Sequence, residues 1–231
     1  MSQQLAAQLQ VLSFLGTAFG VLLLGIGAVG LRLAGRRVLS VRLGLAAIIW
    51  LAGYTLLLVG AGLASHEVTL GSGTEKYFCE MDCHLAYRVT GLASASEIGS
   101  AASPSRASGV FQLVTLQTRF DETTIAPWRP RQAPLYPNPR VVRLFDREGR
   151  GYPLSVEGEV ALKQAGGEGT ALDAPLIPGA SYATTLVFDL PAGAKPDRLL
   201  ITEDIFVNRF MIGHEQSPFH GKVYLPLPRS G

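Results

Sequence analysis

Two long uncharged apolar runs constrain this chain more than any other feature. They cover residues 11–31 and 43–65, and neither contains a charged or histidine side chain. Each run reaches the roughly 20 apolar helical residues that cross a hydrocarbon core about 30 Å thick. We therefore predict a transmembrane α-helical hairpin within residues 1–66, with helices at about 11–33 and 42–64.

The loop between the runs predicts the orientation of the hairpin. It carries four arginines and no acidic residue, at Arg32, Arg36, Arg37 and Arg42. Basic loops stay on the cytoplasmic side, so we expect the N-terminus and everything after His66 on the periplasmic side of a bacterial inner membrane. The first ten residues hold no basic side chain. The first run is also longer than a signal-peptide core of about 7–15 residues, so we expect a retained helix.

Glycines predict close helix packing. Gly16 and Gly20 form a GxxxG spacing, and further glycines follow at 25, 27, 30, 53, 60 and 62. Small residues let membrane helices approach closely, either within the hairpin or against a partner. We expect the partners to be the lipid bilayer and a larger membrane-protein complex. Because no Asp, Glu, Lys or His interrupts either run, the sequence argues against an ion path through the hairpin.

The remainder of the chain has the pattern of an all-β domain. We predict a linker at 67–76 and an extracytoplasmic domain at 77–231. The small-residue stretch 91–108 predicts a mobile loop, residues 157–165 a short helix, and prolines between 127 and 139 exclude helix or central strand. Regular short strands with Gly/Pro turns predict a β-sandwich. The strands are expected at 77–89, 110–120, 141–145, 152–156, 182–190, 199–202 and 222–227.

Charge and motifs exclude several functions. The formal net charge is only +2, and basic residues mix with acidic ones, which argues against a nucleic-acid partner. The sequence contains neither a phosphate-binding glycine loop between strand and helix nor a nucleophile elbow. We therefore expect no catalytic residues.

One segment concentrates metal-ligating side chains. It reads Cys79-Glu-Met-Asp-Cys83-His84 and holds both cysteines of the chain. In an oxidising compartment such a pair is typical of a disulfide. A continuous strand would, however, separate the two Cα atoms by about 13 Å, at roughly 3.3 Å per residue, whereas a disulfide needs less than about 7 Å. A turn or bulge would permit the bond.

Copper is the second interpretation of this segment, because thiolate and imidazole suit a soft metal. The plan of two helices, an exported β-domain and a Cys-x-x-x-Cys pair resembles subunit II of cytochrome c oxidases. That resemblance implies that Cys79 and Cys83 bridge two coppers. Because the first and last strands of a sandwich can be neighbours, Met211 and His214, or His220, could close the site together with His84. His84 directly follows the second cysteine, and the pair opens the domain, unlike in the oxidases.

The third interpretation is a c-type haem, because Cys-x-x-Cys-His is the usual attachment sequence and this motif has one extra residue. The stretch from Cys83 to Ala86 also resembles the attachment site of cytochrome f, which implies His84 as axial ligand.

Two further stretches resemble bacterial extracytoplasmic immunoglobulin-like domains of poorly defined function. They are Leu176-Ile-Pro-Gly-Ala-Ser-Tyr-Ala-Thr-Thr-Leu-Val-Phe-Asp-Leu-Pro191 and Arg143-Leu-Phe-Asp-Arg-Glu-Gly-Arg-Gly-Tyr152. The resemblance implies an immunoglobulin-like sandwich and no catalytic residue. Together these observations predict a non-enzymatic accessory or scaffold subunit without a cofactor. It could belong to a respiratory or photosynthetic complex, and electron transfer through copper or haem is the alternative.

Overall fold

The chain forms two compact units. The computed structural model describes residues 3–79, 83–100, 103–125 and 129–228. One unit, the helical unit, combines Met1–His66 with Phe206–Gly221, and the other, the two-sheet unit, combines Glu67–Ile205 with Lys222–Gly231. We call Phe206–Gly221 the return segment, because it belongs to the helical unit although it lies between two strands of the two-sheet unit.

The helical unit contains the two predicted helices. They are α1, Gln3–Leu33, and α2, Arg37–Ala64, and each is long and apolar enough to span a membrane. Gly35 ends α1 with a φ of 77°, and the amide of Arg36 donates to the carbonyl of Leu31 at 2.8 Å. This pattern is a Schellman cap, which requires a residue that tolerates left-handed backbone. The sharp turn at Gly35 therefore allows α2 to start two residues later.

The return segment packs against α2. It begins with a 3₁₀ helix, Phe206–Phe210. The hydroxyl of Tyr54 donates to the carbonyl of Phe210 at 2.7 Å, and the amide of Gly221 donates to Ser65 Oγ at 2.7 Å. A Cβ atom at Gly62 would collide with the carbonyl of Pro218. Nothing in the hydrophobic pattern of residues 206–221 predicts this packing.

The two-sheet unit holds nine strands and one α-helix among the described residues. The first sheet has the order β1-β9-β8-β5-β6 and the second β2-β3-β4-β7, and all pairs are antiparallel except β1 with β9. The elements are β1 Val68–Thr69, β2 Lys76–Cys79, β3 Cys83–Ser100, β4 Ser103–Phe120, β5 Arg140–Asp146, β6 Gly151–Pro153, α3 Val156–Gln164, β7 Ser181–Leu190, β8 Pro196–Glu203 and β9 Val223–Pro226, with a 3₁₀ turn at Glu122–Thr124.

Both sheets bury their apolar faces in one shared core, as two stacked layers do. The two-sheet architecture expected from the sequence is thereby confirmed. The core members are Leu85, Tyr87, Val114, Leu116, Phe120, Leu186, Phe188 and Leu190 from the second sheet, and Val142, Leu144, Leu199, Ile201 and Leu225 from the first, with Leu176 from a loop. A smaller cluster of Phe111, Val187 and Leu162 holds α3 against β4 and β7.

The predicted single strand at 77–89 is wrong. The chain instead forms an antiparallel hairpin, in which β2 pairs with β3 and Phe78 lies opposite Leu85. In a continuous strand, Phe78 and Leu85 would point to opposite faces because they are an odd number of residues apart. Across a hairpin they share a face, and both pack in the main core. Apolar and polar side chains alternate regularly both before and after the turn, so the sequence pattern alone did not show that the chain reverses there.

The predicted loop at 91–108 is also wrong where the structure describes it. Residues up to Ser100 extend β3, those from Ser103 extend β4, and Glu97 pairs with Arg106. Ile98 and Ala107 pack against the cluster around Phe111. Backbone pairing over this long hairpin therefore overrides a small, polar composition that by itself favours a loop.

Most of the remaining secondary structure follows the sequence pattern, but the strand expected at 152–156 ends at Pro153, and Val156 is the first residue of α3. The hairpin of β5 and β6 encloses the predicted turn, where Asp146 Oδ1 accepts from the amides of Glu148 and Arg150 at 3.1 and 2.8 Å. The short helix α3 begins after Ser155, whose Oγ accepts from the amide of Gly158 at 3.1 Å. Both are local signals, an Asx-type turn and an N-cap, that need no distant partner.

Candidate functional site

The cysteines lie at the open end of the hairpin of β2 and β3. Cys79 is the last residue of β2, Cys83 the first of β3, and the two are register partners. Partnered Cα atoms in antiparallel strands are about 4.5–5.5 Å apart, and disulfides usually span about 4.4–6.8 Å. The backbone therefore removes the objection that a single strand raised against a disulfide.

The side chains of Cys79, Cys83 and His84 lie outside the described part of the structure, as do Glu80, Met81 and Asp82. The choice between disulfide, copper and haem therefore stays a prediction. Elsewhere, the described residues contain no group of three or more His, Cys, Asp or Glu side chains arranged to hold a metal.

The predicted fourth ligand, His214, lies in the return segment of the helical unit, whereas the cysteines belong to the two-sheet unit. His214 Nδ1 accepts from the amide of Gln216 at 3.0 Å, and its own amide donates to the carbonyl of Met211 at 3.1 Å. His220 Nδ1 is 2.7 Å from the carbonyl of Gly221. These are the local contacts of turn residues.

Sequence reasoning missed a charged cluster inside the two-sheet core. Arg140 and Glu203 form an ion pair at 2.5 Å, with side chains only 1% and 4% exposed. Lys76 Nζ is buried and donates to the carbonyls of Ile201 and Val223 at 2.7 and 2.8 Å. Buried charges are costly unless they are paired in this way.

Aromatic rings complete the surroundings of Arg140. Its guanidinium lies 4.2 Å from the ring centre of Phe78 and 5.5 Å from that of Tyr87, and its Nε donates to Tyr87 Oη at 3.2 Å. Burial alone would lower the pKa of Arg140, but Tyr87 and Glu203 outweigh it and raise the pKa. Arg140 is therefore a permanent cation, held between an acid and two π faces.

Strand periodicity does contain a signal for this cluster. Arg140 precedes Val142 and Leu144 on the inward face of β5, and Glu203 follows Leu199 and Ile201 on the inward face of β8. Side chains two residues apart on a strand share a face, so Arg140 and Glu203 are expected to point inward like the apolar residues that precede or follow them. Opposite charges at the ends of two inward faces therefore predict a buried pair, once the two strands are known to be neighbours.

A second charged network joins β2 to β4. Arg119 binds Glu75 with two hydrogen bonds of 2.6 and 3.0 Å, and Tyr77 Oη donates to Asp121 Oδ2 at 2.9 Å. Burial and the bond to Asp121 raise the pKa of Tyr77 to about 12. Burial alone would raise the pKa of Asp121, but hydrogen bonds from Thr123, Tyr77 and Arg119 outweigh it and lower the pKa to about 2.

At neutral pH, Tyr77 is therefore a neutral donor and Asp121 an anionic acceptor. A general acid or base works best with a pKa near the operating pH. The pKa values of Tyr77 and Asp121 lie well above and well below neutral pH, and the hydrogen bonds of the network link β2 to the end of β4.

A cavity of about 490 Å³ opens beside α3. Glu159, Lys163 and Glu168 contribute charged side chains to its wall, and Glu159 accepts from the amide of Val187 at 2.5 Å. Burial raises the pKa of Glu159. The volume lies within the range of about 300–1,000 Å³ that small-molecule sites have.

Comparisons with known proteins add little. No family model and no curated protein matches the chain. Among solved structures, the chain is similar to MPT63, a secreted protein from Mycobacterium tuberculosis, with 11% identity, a TM-score of 0.43 and coverage of 71% of this chain and 99% of that one. It is also similar to a conserved hypothetical protein from Bacillus anthracis, with 15% identity, a TM-score of 0.36 and coverage of 57% and 93%. Neither score is high enough to establish a shared fold.

Proposed function

We propose that this chain is a two-pass bacterial inner-membrane protein that presents an immunoglobulin-like sandwich to the periplasm. In this proposal it is a non-enzymatic accessory or scaffold subunit that binds a larger membrane-protein complex. This proposal rests on one observation: two helices that are long and apolar enough to span a membrane have exposed apolar side chains. Exposed apolar surface of this extent needs lipid or protein to cover it.

The arginine loop supports the orientation. Arg32, Arg36, Arg37 and Arg42 cluster at one end of the hairpin, where α1 ends and α2 begins. Under the positive-inside rule that end is cytoplasmic. The start of α1 and the two-sheet unit that follows α2 are then periplasmic.

The glycines divide into two groups, which supports a partner helix. A Cβ atom at Gly20 would come within 2.8 Å of the Trp50 ring, and one at Gly27 within 3.2 Å of Leu43, so both glycines serve packing within the hairpin. A Cβ at Gly25 or Gly30 would meet nothing within 4 Å. Glycines that no internal contact requires leave room for close approach by another helix.

The two-sheet unit offers a loop surface for a protein partner. Its long edge strand β7 is covered, because Thr185 donates to Glu168 at 2.8 Å and Thr170 donates to Ala183 at 2.9 Å. Covered edges resist strand addition. The proline-rich stretch is fixed instead by backbone bonds between Leu135 and Leu176, and next to this bridge it exposes Tyr136. A rigid loop with an exposed aromatic ring suits protein recognition.

Native electrophoresis of gently solubilised membranes tests the scaffold role. The wild type is expected to migrate in a complex larger than the chain. Gly25→Leu and Gly30→Leu should release it, while Leu23→Ile, a change at an exposed position on the same helix, should not. A wild-type chain that migrates alone would contradict the scaffold role.

The alternative function is electron transfer or metal handling, because the register places Cys79 opposite Cys83. The full-length protein, made with copper and haem maturation available, is measured for visible absorption, metal content and free thiols. A colourless, metal-free protein without free thiols supports the scaffold and a disulfide. Stoichiometric copper or haem, lost in Cys83→Ser while the fold persists, supports the alternative.

A further inference from the structure

The return segment has the features of a membrane-embedded element. It contacts α2 from Tyr54, which bonds to Phe210, to Ser65, which bonds to Gly221. At 1.5 Å per residue, this stretch of α2 is about 16 Å long. The segment therefore runs along the helix and does not merely touch its end.

The position of Tyr54 gives the depth of the segment. If the hydrocarbon core starts just after the last arginine of the loop, Arg42, then roughly 20 helical residues carry α2 across it, to about Gly62. Tyr54 is eight residues before Gly62, so it lies about 12 Å below the periplasmic end of the core, at 1.5 Å per residue. A segment whose Phe210 carbonyl binds Tyr54 reaches that depth as well.

Part of the backbone of the segment is hydrogen-bonded within the segment, which lowers the cost of placing it in a bilayer. After the 3₁₀ helix, amides donate to carbonyls three residues earlier, with lengths between 2.9 and 3.3 Å. These bonds run from Met211 to Asn208, His214 to Met211, Ser217 to His214 and His220 to Ser217. This chain of turns leaves fewer polar groups to desolvate than an open loop would.

The exposed side chains of the segment are apolar except for Arg209. Phe206 and Phe219 are 66% and 69% exposed, and Val207 and Phe210 are exposed to a lesser degree. Phe219 has a φ of 62°, the single positive value of a non-glycine residue in the described chain. A bulky residue in that conformation is strained, and such strain concentrates at functional positions. Arg209 lies over the Phe206 ring at 5.6 Å, and its long stem can carry the charge toward the interface.

We propose that the return segment is a re-entrant, lipid-facing element that inserts Phe206, Phe210 and Phe219 among acyl chains of the periplasmic half of the bilayer. The occupant is lipid, because the exposed rings belong to the same unit as α1 and α2, whose apolar side chains are also exposed. This inference rests on the proposed membrane anchor. It adds a third point of attachment that comes from the far end of the chain.

Photocrosslinking tests the proposal in the full-length protein. p-Benzoylphenylalanine is placed singly at Phe206, Phe219, Phe19 or Tyr136, all of them exposed aromatic positions, and the protein is reconstituted in phosphatidylcholine–phosphatidylglycerol vesicles. After irradiation, intact-mass spectrometry counts lipid adducts. We expect Phe206 and Phe219 to give adducts in a yield comparable to Phe19 on α1, and several-fold above Tyr136 in the proline-rich loop.

The controls separate the two proposals. Adducts at Phe19 but not at Phe206 or Phe219 would overturn the re-entrant element and leave the anchor standing. Absence of adducts at Phe19 as well would overturn the anchor and, with it, this inference. Equal yields at Tyr136 and Phe206 would also overturn the inference, because exposure and not depth would then explain the reaction.

Discussion

Replacement of Glu203 by glutamine tests how the core tolerates its buried charges. The substitution keeps the size of the side chain but removes the anion that faces Arg140 at 2.5 Å. Breaking a buried pair by removing one partner costs about 3–5 kcal/mol, because the remaining charge is left uncompensated. This is a large part of the roughly 5–15 kcal/mol by which a domain is stable.

Urea unfolding in detergent micelles, followed by near-ultraviolet circular dichroism, measures the effect. With an m-value of about 2 kcal/mol/M, the midpoint should fall by roughly 1.5–2.5 M. Glu97→Gln is the matched control, because Glu97 and Arg106 pair at 3.1 Å with side chains 42% and 82% exposed. An exposed pair contributes less than about 1 kcal/mol, so the control should shift the midpoint by less than about 0.5 M.

A double variant distinguishes charge from packing. Arg140→Met combined with Glu203→Leu removes both charges and should recover most of the stability lost in Glu203→Gln. Similar losses in Glu203→Gln and Glu97→Gln would refute the reasoning, because burial would then not decide the strength of the pair. A double variant as unstable as the single one would show that shape, and not the uncompensated charge, is responsible.

Three further predictions concern local features. The Asp121 carboxylate has a pKa of about 2, so it stabilises the fold above pH 4 and loses that contribution as the pH falls from about 4 to 2. Asp121→Asn should therefore cost about 2 kcal/mol at pH 7. In the variant, the urea midpoint should depend less on pH between 4 and 2 than in the wild type. Ser155→Ala removes the N-cap of α3 and should cost about 1 kcal/mol in urea unfolding, whereas Ser155→Asp should retain the cap. Gly62→Ala should destabilise the helical unit by about 1–3 kcal/mol in thermal unfolding, because the added methyl group would collide with the carbonyl of Pro218. Gly60→Ala is the control and should have little effect, because its methyl group would have no neighbour within 4 Å. Equal effects of the two substitutions would contradict the packing of the return segment on α2.

The features that the sequence predicted are those with local causes. The helices follow from continuous apolar runs, and the hairpin of β5 and β6 follows from Asp146, which organises its own turn. The hairpin of β2 and β3 was missed because its alternation is the same on both sides of the reversal. Only the shared burial of Phe78 and Leu85 shows that the chain turns back.

The features that were missed depend on partners far along the chain. The buried pair joins positions 140 and 203, and the return segment meets α2 across more than a hundred residues. Neither Arg140 nor Tyr54 carries a local mark of its partner. Predicting them requires knowing first that β5 and β8 are neighbours and that residues 206–221 leave the two-sheet unit.

The sheet order also governs how this protein can be made. In the five-stranded sheet β9 lies between β1 and β8, and β9 is the strand with which β1 pairs among the described residues. At about 5–20 residues per second, synthesis takes roughly 8–30 s to pass from β1 to β9. Throughout that interval β1 waits for β9, and β8, which is made shortly before β9, cannot yet be joined to β1. A change that prevents β9 from pairing would therefore leave both β1 and β8 with an open edge, so β9 is the strand whose loss divides the five-stranded sheet.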